Sequence, residues 1–147
     1  MLAIEPHLSA PDIKEQLGGK GYNLFYLVQH GLAVPPAACL PASVYKSHLP
    51  EHIQEHIEQL IHGNPEDYAT LLTNIQEGIQ NIKLSQETED AIQNFIDSLP
   101  KGSSIAVRSS GTLEDKAVQS FAGQYKTYLN NRTKEDIMRS IKKVWKV

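Results

Sequence analysis

Three short segments carry the side chains and backbone freedom that an anionic ligand needs. Gly18-Gly19-Lys20-Gly21 stands where a helix is expected to begin. Glycines let the backbone approach a ligand closely, a helix N-terminus presents N–H groups without intrahelical partners, and Lys20 adds a full positive charge; together these suit a phosphate. The segment is not a Walker A loop, which places its first glycine where this chain has Lys14 and a Ser or Thr where it has Gly21. Val107-Arg108-Ser109-Ser110-Gly111-Thr112 follows a strand-like run. An arginine offers a planar fork of donors for bidentate contact with phosphate oxygens, and nearby hydroxyls and a glycine can complete an anion site. Ser120-Phe121-Ala122-Gly123-Gln124 is a run of mostly small residues that could lie over a ligand as a flap. Each segment alone has a plainer reading: a turn, a solvated loop with a salt-bridged arginine, and a hairpin loop.

Two further constellations are weaker. His52-Ile53-Gln54-Glu55-His56 fits the H-x-x-E-H zinc-peptidase pattern, in which two histidines share a helix face and the glutamate acts as base. The pair borders the Ile53/Ile57 apolar stripe, His48 is separated from it by Pro50, and no pattern nominates a third ligand, so a solvated helix face is the default. Cys39 lies between alanine and leucine with no identifiable base and reads as a small packed residue. There is no G-x-S-x-G nucleophile elbow.

The elements that must position these residues are predominantly helical. Leu17, Leu24, Leu27 and Val28 recur at helical spacing, the helix is expected to start within Leu17–Gly21, and Gly31 stops it. Val34-Pro35-Pro36 forces an extended path, and Ala42 to His48 is a short helix ended by Pro50. From Glu51 to His62 an apolar stripe of Ile53, Ile57, Leu60 and Ile61 predicts a helix closed by Gly63. A new helix is expected from Asn64 as N-cap with Pro65 in its first turn, carrying Tyr68, Leu71, Leu72, Ile75, Ile79 and Ile82, with Gly78 as its weak point. Another starts at Ser85 and carries Ile92, Phe95, Ile96 and Leu99. Ser104 to Arg108 and Tyr125 to Leu129 read as strands, and Thr133 with Asp136 forms a capping box before a helix bearing Ile137, Ile141, Val144 and Trp145. The class is α+β, helix-rich, with strands concentrated after residue 100.

Composition sets the outer bounds. The 147 residues suffice for about one domain. Hydrophobic residues make up 40% and charged residues 21%, enough apolar material to fold. A formal charge of −3 argues against a nucleic-acid-coating protein. No apolar run reaches the ~18 residues of a membrane span, and the N-terminus lacks the basic-then-apolar form of a signal peptide. A single cysteine fits a reducing compartment, so a cytoplasmic location is expected.

Read together, three segments resemble one family. They are LGGKGYNLFYLVQHGLAVPPAACLPASVY (Leu17 to Tyr45), SIAVRSSGTLEDKAVQSFAGQYKTYLN (Ser104 to Asn130) and EDIMRSIKKVW (Glu135 to Trp145). Their order and spacing are similar to the N-terminal part of the nucleotide-binding domain shared by phosphoenolpyruvate synthase, pyruvate phosphate dikinase and rifampin phosphotransferase. The helical middle, about residues 51–100, carries none of the family's signatures. The resemblance implies an ATP-grasp fold of which residues 1–147 are the N-terminal subdomain, with a small antiparallel sheet. Such enzymes use ATP and magnesium to phosphorylate a histidine on a mobile domain, releasing AMP, and pass the phosphoryl group to a substrate.

Carried over by motif, Lys20 and Arg108 would contact ATP phosphates, Gly123 would sit in a flap over them, and Thr127 would line the site from the following strand. Gly111 stands where the family usually has alanine, and Lys116-Ala117-Val118-Gln119 lacks the family's proline-containing form, departures that bear on loop rigidity. The resemblance also implies partners: the C-terminal half of the ATP-grasp domain, which would supply the magnesium ligands, and phosphohistidine and substrate domains. The chain is therefore expected to be inactive alone, with no nucleic-acid or membrane partner. The alternatives are a non-catalytic binding or regulatory remnant and a zinc hydrolase using His52, Glu55 and His56.

Overall fold

The computed structural model describes residues 2–3, 13–63, 66–111 and 126–146. In chain order the elements are β1 (Leu2–Ala3), α1 (Ile13–Gln29), β2 (Ala38–Cys39), α2 (Ala42–His48), α3 (Glu51–His62), α4 (Tyr68–Gln80), α5 (Gln86–Asp97), β3 (Ile105–Arg108), β4 (Thr127–Asn131) and α6 (Lys134–Trp145). Two small antiparallel sheets pair β1 with β2 and β3 with β4, so the α+β, helix-rich class is the one observed.

Most of the core is made by helical stripes. Leu49, Ile53, Leu71, Ile75, Ile79, Ile82, Leu84, Ile92, Ile137 and Ile141 form one buried cluster, in which α3 packs on α4 and α6 packs on α4, α5 and the β3–β4 pair. Ile53 and Ile92 are its most deeply buried large side chains. Gly78 is part of this packing. A Cβ at Gly78 would overlap Ile53 Cδ1, so the residue that weakens α4 as an isolated helix is what lets α3 approach it. Ile61, by contrast, is 61% exposed. At 100° per residue it lies about 80° around the helix from Ile53, at the edge of the stripe rather than its centre.

A polar joint ties the sheet to α6. Asn131 is buried; its Nδ2 donates to the carbonyls of Ile105 (3.0 Å) and Tyr128 (2.8 Å), and its Oδ1 accepts from Ser140 Oγ at 2.6 Å. The α6 capping box forms as expected: Thr133 Oγ1 accepts from the Asp136 N–H, and Asp136 Oδ2 accepts from the Thr133 N–H. Ser85 caps α5.

Two local expectations are corrected, and one pairing is new. α4 begins at Tyr68, capped by Asp67, whose side chain accepts from the Thr70 N–H; an ionised Asx cap at this spacing satisfies an orphan donor directly. Asn64 and Pro65 lie outside the described residues. The second strand runs Thr127–Asn131, past its expected end at Leu129, because Asn131 closes the pairing with Ile105; Tyr125 lies outside the described residues. The short β1–β2 pairing was not anticipated, since two residues give no periodicity to read.

Candidate functional site

α1 is two helical pieces joined at Gly18, whose φ of 67° and ψ of 178° belong to a region essentially reserved for glycine. The expected helix start within Leu17–Gly21 is the start of the second piece; one additional turn, Ile13–Leu17, precedes it. That second piece ends as Gly31 (φ 72°) allows, with the Gly31 N–H on the Val28 carbonyl and the Leu32 N–H on the Leu27 carbonyl, a Schellman closure.

The break at Gly18 is where the chain's first two candidate segments meet. The Gly19 N–H donates to the Gly111 carbonyl at 3.0 Å. Ser110 Oγ accepts from the Gly21 N–H at 2.9 Å and donates to the Leu17 carbonyl at 2.6 Å, contacts spanning 89 and 93 residues of sequence. A Cβ at Gly18 would overlap the Ser110 carbonyl oxygen, and one at Gly21 would lie 2.8 Å from Cys39 Sγ and 2.9 Å from Leu17 Cβ. The glycines therefore do admit a close backbone approach, but the approaching group is the Ser110–Gly111 segment. Two of the N–H groups expected to face a phosphate are taken up in this clasp, so the anion site expected from the sequence would depend mainly on side-chain charge.

That charge sits on both sides of the clasp. Lys20, half-buried, lies between Gly19 and Gly21 on the first turn after the break. Arg108 ends β3, two residues before Ser110, and is exposed. Its register partner on β4 is Thr127, also exposed, whereas the next pair, Val107 and Tyr128, is partly buried. Directly opposed residues of an antiparallel pair project to the same face, so Arg108 and Thr127 share one face and Val107 and Tyr128 the other. The Ser109 N–H continues the ladder to the Lys126 carbonyl at 3.3 Å. Three of the four expected site residues are thus carried by α1 and by the β3–β4 pair that the clasp joins to it. Gly123 lies outside the described residues.

The neighbouring hydroxyls need a correction. Ser109 is buried and its Oγ has no hydrogen-bond partner among the described residues, and Ser110 Oγ is committed to α1. Neither is arranged as an open anion donor. Ser110 was legible only as one of several polar residues in its segment; its role depends on contacts about 90 residues away.

Cys39 packs beside Gly21, and burial pushes its thiol up to about 11, which keeps it protonated at neutral pH. His52 and His56 stand edge to face with ring centroids 6.2 Å apart. Among the described residues no three His, Cys, Asp or Glu side chains come together as a metal-ligand set. No helix among them is long and apolar enough to cross a membrane.

Residues 14–147 match the pyruvate phosphate dikinase AMP/ATP-binding domain family. The chain is 34% identical over 142 residues to the prodigiosin synthesizing transferase PigC of Serratia marcescens, covering 97% of this chain and 14% of that protein. It is 32% identical over 135 residues to a rifampicin phosphotransferase of Bacillus cereus, covering 88% of this chain and 16% of that protein. It is 29% identical over 147 residues to a phosphoenolpyruvate synthase of Aeropyrum pernix, covering 91% and 18%. The chain thus spans less than a fifth of the length of each of these relatives.

Proposed function

The chain belongs to the pyruvate phosphate dikinase AMP/ATP-binding domain family, and from that premise we propose that residues 1–147 are an N-terminal ATP-binding portion of a phosphotransferase of the phosphoenolpyruvate synthase type. The observation that carries the reading is the clasp: the Gly19–Gly111 and Ser110 hydrogen bonds join the lysine segment to the strand bearing Arg108. Lys20 and Arg108 neutralise phosphate charge from two elements, Thr127 lines the same face as Arg108, and the flap role of Gly123 rests on the family motif alone. When bound, ATP supplies the phosphoryl group. The residues of this chain bind and orient it, which is most of what a protein contributes to phosphoryl transfer.

The acceptor chemistry is proposed to belong to a longer protein: a histidine on a mobile domain takes the phosphoryl group and passes it to a final substrate. Magnesium ligands are assigned to the other half of the ATP-grasp domain, as the family resemblance implies. The isolated chain is expected to bind nucleotide without turning it over, in the cytoplasm. Calorimetric titration with ATP tests the reading. Lys20→Ala and Arg108→Ala are each expected to weaken binding about tenfold or more, the usual loss when a charge-assisted hydrogen bond is removed. Unchanged affinity in both variants would contradict the site assignment.

A further inference from the structure

We propose that Ser110 is a positioning residue for the phosphate-contacting lysine, an inference that rests on the nucleotide-binding reading and deepens it. A hydroxyl can donate and accept at once, and Ser110 Oγ does both across the break in α1. It donates to the Leu17 carbonyl, at the end of the short first piece, and accepts from the Gly21 N–H, in the first turn of the second. These are the two kinds of backbone group that a helix end leaves without an intrahelical partner. One side chain therefore satisfies the C-terminal end of one piece and the N-terminal end of the next.

Lys20 lies between the points so held. The Leu17 carbonyl and the Gly19 N–H precede it, the Gly21 N–H follows it, and all three bond to Ser110 or Gly111. Ser110 is in turn two residues beyond Arg108 at the exit of β3. The direction in which Lys20 leaves the backbone is fixed against the strand that carries Arg108, so the two charges are set relative to each other before any ligand arrives. Pre-organisation of this kind raises affinity by removing the entropy of ordering the contacts on binding. The Gly19–Gly111 bond remains when the hydroxyl is removed, so the loss falls on the aim of Lys20 more than on the fold.

The test is a double-mutant cycle read by NMR titration with ATP, which follows even weak affinities. In the parent chain, Ser110→Ala is expected to weaken binding about tenfold, the worth of one well-placed hydrogen bond network member. In a Lys20→Ala background the same change is expected to produce no further loss, because the residue acts through Lys20. Ser110→Thr, which keeps the hydroxyl, is expected to restore most of the affinity, and the Gly21 amide is expected to exchange with solvent faster in Ser110→Ala than in Ser110→Thr. An equal loss in both backgrounds, a Ser110→Thr variant as weak as Ser110→Ala, or a Ser110→Ala chain that does not fold would each overturn the positioning role while leaving the nucleotide site standing. A parent chain that binds no ATP would overturn the nucleotide reading itself, and this inference with it.

Discussion

The large helical cluster and the clasp are held together by different physics. Around Ile53 and Ile92, stability comes from apolar side chains contributed by α3 to α6 and the neighbouring strands. At the clasp, the buried apolar core among the described residues is Leu17 and Phe25, with partly buried neighbours such as Tyr22, Leu24 and Cys39. Order there comes from backbone and hydroxyl hydrogen bonds and from glycines that permit contact closer than any side chain would allow. The lesson is a division of labour: non-directional burial builds the body, whereas directional bonds set the angle between two charged residues.

Substitutions should separate the two regions cleanly. Ile53→Ala has the largest expected effect, about 4 kcal/mol of lost stability from transfer and cavity terms, with ATP affinity unchanged wherever the chain is still folded. Denaturant midpoints at constant m-value would show the first, and titration well below the melting temperature the second. Gly18→Ala is expected to lose about 3 kcal/mol, from backbone strain and overlap with the Ser110 carbonyl, and to abolish ATP binding as well. A Gly18→Ala chain that bound ATP normally would dissolve the contrast between body and clasp. Ser109→Ala sharpens the comparison at single-residue scale. It removes a buried hydroxyl without a described partner, one position from the hydroxyl that has two. Its expected effect is the smallest: unchanged stability or a gain of about 1 kcal/mol, with ATP affinity intact.

The body was largely legible in the sequence because its determinants are local. Pro50 ends α2, Gly63 ends α3, and the Thr133–Asp136 spacing announces α6 before any tertiary contact is known. Where several caps compete, local reading slipped: Asp67 rather than Asn64 starts α4. Lys20, Arg108 and Thr127 were nominated by motif, and the observed register sets Arg108 beside Thr127. The clasp was not legible. Ser110 and Gly18 meet across about 90 residues, and neither hydrophobic period nor residue type marks one serine of a pair as structural glue. By residue type alone the glycines signal room for a ligand, whereas much of that room at Gly18 is occupied by Ser110 of the chain itself.

The central claim is that nucleotide phosphates are held where the clasp joins α1 to the β3–β4 pair. Residue-resolved amide shifts on ATP addition test it most directly. The expected result is a set of saturable shifts at Gly19 to Gly21, Arg108 to Gly111 and Thr127, with the amides of α3 to α5 unmoved. The contradicting result is an absence of saturable shifts, or shifts that gather around His52 to His56 and leave Lys20 and Arg108 untouched.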